Sequence, residues 1–148
     1  MASEVRTAAA LTPQQLHKLT EEKDMAEARK AHEAMKKVEE NERAMREAFM
    51  QREVQPDAME RLMAAVKIAA EQGKHELLVI RFPSSLLSDG GRRVNNFLPD
   101  WPDSLQGFGK RAYDYFKEHL SPLGYKLRAE IIDYPHGNLG DVGLYLVW

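Results

Sequence analysis

The 148-residue chain has no cysteine, which excludes disulfides, thiol catalysis and cysteine-ligated zinc. It has no apolar run near the ~18 residues from which a membrane-spanning helix is read. Before Leu11 the only apolar stretch is a short alanine run, too short for a secretory signal, and residues 1–12 are expected as a frayed tail. It also lacks a dominant charge: 21 basic against 23 acidic side chains leave −2 with histidine neutral. Such balance gives no general attraction to nucleic acid or to an anionic membrane, so neither is expected as a partner. The five histidines are scattered, and no two have the i, i+4 spacing of a helical metal site. No metal or cofactor site is therefore expected. The absence of thiols is compatible with a reducing compartment, and a cytoplasmic location is the expectation.

From Gln14 to Glu53 proline and glycine are missing altogether. What fills that stretch is Ala, Glu, Lys, Arg, Met and Gln, all strong helix formers. Thr12-Pro13-Gln14-Gln15 has the chemistry of a helix start, with Thr12 and Gln15 able to bond reciprocally as a capping box. Pairs such as Glu39 with Arg43 and Glu42 with Arg46 recur at helical spacing. A helix of roughly 40 residues is about 60 Å long. Ala28, Ala31, Met35, Val38, Glu42, Met45 and Phe49 follow spacings of three and four, a thin heptad seam. Isolated polar helices are marginal in water. Residues 13–55 are accordingly expected to be a long charged helix that pairs, as a coiled coil or helical hairpin. Met35, Val38, Met45 and Phe49 are the candidate contact residues.

Val54-Gln55-Pro56-Asp57 interrupts the run, and Pro56 begins a second helix to about Gln72, stopped by Gly73. Its stripe is Met59, Leu62, Met63, Val66, Ala69 and Ala70. Leu77-Leu78-Val79-Ile80-Arg81-Phe82 reads as an inner strand covered on both faces. A third helix over residues 102–120 follows, capped by Asp100 or Asp103, with Leu105, Phe108, Ala112, Phe116 and Leu120 inward. Two alternating strands, residues 125–134 and 142–148, form an antiparallel hairpin around Pro135-His136-Gly137-Asn138. The fold class is α+β: a long N-terminal helix or helical hairpin, then a small domain over residues 56–148 of order α-β-α-β-β. A strand–helix–strand crossover predicts parallel neighbours, hence a three-stranded mixed sheet.

Residues 84–102, rich in Ser, Gly, Asn, Asp and Pro, form a connection long enough to suggest a function. Within it Asp89, Gly90, Gly91, Arg92 and Arg93 are the candidate ligand-binding residues. The glycines let backbone N–H groups approach an anion, and the arginines can fork onto phosphate or carboxylate. The spacing matches neither the phosphate-loop nor the dinucleotide pattern. Phe97 and Trp101 are nearby aromatic anchors for a protein contact. Asp133, Tyr134, His136 and Asp141 could support acid–base chemistry, but no nucleophile accompanies them. Tyr113, Tyr115 and Tyr125 with Lys110, Arg111, Lys126 and Arg128 could stack on bases. No catalytic residue is assigned. The expected function is a non-catalytic interaction or scaffolding protein, self-associating through its helix as a homo-oligomer or binding a protein partner. The alternatives are a regulatory domain that binds an anion through residues 84–100, or a small enzyme.

Overall fold

The computed structural model describes residues 9–148, so the first eight residues of the expected tail lie outside the described residues. The chain divides into two compact units, the first ending at Ala44 and the second spanning Met45–Trp148. Helix α1, Pro13–Gln51, begins in the first and ends in the second. Its start is the expected capping box: Gln15 N–H donates to Thr12 Oγ1 at 3.2 Å, and Thr12 N–H to Gln15 Oε1 at 2.8 Å. All its residues before Phe49 are exposed.

In the second unit, α2 (Ala58–Glu71) buries Val66 and Ala69, with Met59, Leu62 and Met63 half-buried and Ala70 exposed. Strand β1 (Glu76–Pro83) follows, then the four-residue helix α3 (Arg92–Asn95) and a 3-10 turn over Trp101–Ser104. The expected third helix is shorter and split. The 3-10 turn precedes it, α4 runs Gly107–Tyr115, and a wider π-helical turn continues over Phe116–Leu120. Neither Asp100 nor Asp103 caps it, because Gln106 occupies the position before its first turn. Strands β2 (Lys126–Ile131) and β3 (Asp141–Val147) form the expected hairpin.

The sheet is antiparallel throughout, in the order β1-β3-β2. The expected parallel pairing of β1 with β2 is corrected: the two run in the same direction, but β3 lies between them and opposes both. Nor is β1 the inner strand. It is an edge strand with Leu78 41% exposed, whereas Val142, Leu144 and Leu146 of β3 are at most 1% exposed. The ends of α1, α2 and α4 all pack on the face that carries those three residues. Phe49, Phe82 and Phe108 join Val142 and Leu144 in one cluster; Val66, Phe116 and Leu120 join Leu146 in another. The opposite face is charged. Arg128 bridges Glu76 and Glu130 and lies over the Tyr145 ring, and Arg81 pairs with Asp141 at 2.8 Å.

Candidate functional site

The connection after β1 is tied into the core rather than draped over it. Leu86, Leu87 and Val94 are buried. Ser84 Oγ donates to the Leu139 carbonyl at 3.2 Å, and the Gln106 amide to the Leu86 carbonyl at 3.0 Å. Gly90 and Gly91 take positive φ, +68° and +96°, which only glycine adopts without strain. The N–H groups of this turn hold an anion from the chain itself. Asp89 accepts hydrogen bonds from Gly91 N–H at 2.9 Å and Arg93 N–H at 3.0 Å. The Arg93 guanidinium lies 3.3 Å from Asp100 and 4.0 Å from Asp89. Burial pushes the Asp89 carboxyl up. The two N–H groups and the charges of Arg93 and Arg92 more than offset that, holding it below the usual carboxylate range. Arg92 is exposed and Gly91 buried, so the five residues share one loop without presenting a common surface. Phe97 faces outward, 82% exposed and at φ +53°, whereas Trp101 is half-buried, edge-on to Tyr113.

The four helix residues part company. Met35, Val38 and Met45 are 64%, 54% and 57% exposed. Phe49 is corrected as a contact residue: it is buried, 5.0 Å from the Phe82 ring centre and edge-on to Phe108. The heptad spacing is the same whether the next residue faces a partner helix or the domain's own core, so spacing alone could not separate them.

Asp133, Tyr134, His136 and Asp141 build the hairpin turn. Asp133 accepts the Asp141 N–H at 2.6 Å, Arg81 holds Asp141, and the Tyr134 hydroxyl donates to Asn95 at 2.9 Å. His136 is exposed. The three tyrosines are dispersed: Tyr113 packs on Trp101 and Phe116, Tyr115 on His119, Tyr125 on Trp148. Arg111 donates to the carbonyls of Met50 and Arg52 at 2.7 and 2.9 Å, satisfying the open end of α1. Among the described residues no three His, Asp or Glu side chains cluster as metal ligands, and no helix is long and apolar enough to cross a membrane.

Concavities of the second unit include the following pair. One, about 450 Å³, is lined by Asp100, Asp103, Lys110 and Lys117 with Tyr113 and prolines. The other, about 350 Å³, opens between the segment after α1, α2, β1 and α4. Its walls include Leu62, Ala65, Ala112 and Phe116, with the buried Leu144 and Leu146 of β3 also in the lining. Its lining draws on both core clusters, Phe108 and Leu144 from one and Phe116, Leu120 and Leu146 from the other. Sequence reading missed it; its one signal is the small side chains of Ala58, Ala65 and Ala112, where larger ones would fill the gap. The four hairpin-turn residues line neither concavity. No family model, curated protein or solved structure matches the chain.

Proposed function

We propose that the chain is a non-catalytic interaction protein that self-associates through its N-terminal helix. The observation that carries the reading is that α1 leaves Met35, Val38 and Met45 each more than half exposed on one seam. Ala28 and Ala31 continue that seam toward the N-terminus. A polar helix in water gains little from intrinsic propensity alone, while pairing removes this apolar stripe from water. The absence of cysteine keeps a cytoplasmic location within the same proposal.

The test is sedimentation equilibrium of the wild type and of a Met35→Glu, Val38→Glu double variant. Glutamate preserves helix propensity but sets charge against charge across a paired seam. The wild type is expected as a dimer or higher oligomer and the variant as a monomer. A wild type that stays monomeric across the concentration range would remove the proposal.

A further inference from the structure

We infer that the 350 Å³ concavity of the second unit is a binding site for a small amphipathic monocarboxylate, an acyl chain bearing one carboxylate. The volume lies in the range of small-molecule sites. At the ~30 Å³ that a water-sized atom occupies, it holds about a dozen non-hydrogen atoms. The interior is aliphatic and aromatic: Leu62 and Ala65 from α2, Ala112 and Phe116 from the α4 side, and the buried Leu144 and Leu146 from β3. Tyr115 at the end of α4, with Phe116 and Leu120 of the π-helical turn, adds to the same lining. Such walls forgo dispersion contacts that an apolar chain would supply.

The mouth selects the head group. Arg52 and Arg61 line it, and neither is in an ion pair among the described residues. The Arg52 guanidinium lies 4.1 Å from the centre of the Phe108 ring, flanked by apolar surface on the side that faces inward. Glu53 lines the same mouth, so its formal charge is two positive less one negative, +1. That balance suits one carboxylate and disfavours a phosphate dianion. The planar fork of an arginine fits a carboxylate with two parallel hydrogen bonds.

Calorimetric titration of the full chain with octanoate, octanol and octylamine tests the inference. Octanoate is expected to bind, octanol about tenfold more weakly, and octylamine not at all. The ratio follows from a charged hydrogen bond, which is worth roughly one decade of affinity or more. An Arg52→Gln, Arg61→Gln variant is expected to bind octanoate only as well as octanol. Ala112→Leu fills the cavity and is expected to abolish binding of both; Ala65→Leu on the facing wall does the same if the first variant fails to fold. In the wild type, octanoate is expected to shift the methyl resonances of Leu62, Leu77 and Leu127. Absent heat and absent methyl shifts overturn the inference, as do equal affinities for octanoate and octylamine, or undiminished binding in a folded cavity-filled variant.

Discussion

The loop carboxylate at Asp89 is held by two backbone N–H groups and neighbours two arginines, and its pKa is depressed for those reasons. A depressed carboxylate favours the folded state above its unfolded pKa of about 3.9. That contribution is lost as pH falls through the lower folded value. Asp89→Asn is therefore expected to melt below the wild type at neutral pH. The gap should narrow as pH is lowered past about 4. Thermal melts at a series of pH values check this, and a gap of constant size would count against it. The Asp-Gly-Gly turn itself was legible, because few sequences other than glycine tolerate these dihedrals. What its N–H groups bind was not. A nest of N–H groups open to a ligand and one closed by the chain's own carboxylate have the same residue pattern.

At the scale of elements, the last residues of α1 pack backbone-close against the start of α4. Gly107 sits at φ +55°, and a Cβ there would lie 2.7 Å from Met50 Cα and 2.9 Å from the Phe49 carbonyl oxygen. Those obstacles are backbone and cannot swing aside. Gly107→Ala combines left-handed strain with overpacking and is expected to destabilise by about 2–4 kcal/mol. Urea denaturation measures it; a loss under about 0.5 kcal/mol, the scale of an ordinary surface change, would show that the helices part without cost. The capping box at Thr12 was legible because both partners are local. The order of the strands was not. The hairpin forces β2 beside β3, but the long connection lets β1 reach either side of that pair. It joins β3, matching Leu77, Ile80 and Phe82 to Leu146, Leu144 and Val142 on the buried face. The apolar run that suggested a central strand serves an edge strand. Helices cover its inner face, while a bulge at Val79 shifts its register between Leu78 and Ile80.

For the molecule as a whole, the compact unit begins at Met45, eleven residues ahead of the Pro56 boundary that the sequence suggests. The reason is Phe49, whose ring belongs to the main core cluster. A fragment of residues 41–148 is expected to melt cooperatively. A fragment of residues 56–148 loses that ring, a deletion worth about 3–5 kcal/mol by comparison with Phe→Ala changes in cores. Differential scanning calorimetry of the two checks the boundary, and equal transitions would place Phe49 outside the folding unit. A break in helical composition is thus not a break in packing: α1 ends at Gln51, before the proline, and the aromatic at Phe49 already belongs to the domain.

The placement of β3 between its neighbours bears on how the chain matures. Translation delivers β1 and β2 before the strand that joins them, so each leaves the ribosome with its ladder groups unmatched. Until Asp141–Val147 emerges, Leu77, Ile80, Phe82, Leu127, Ala129 and Ile131 have no central partner. The nascent polypeptide therefore passes through a sticky interval, and closure of the sheet awaits β3.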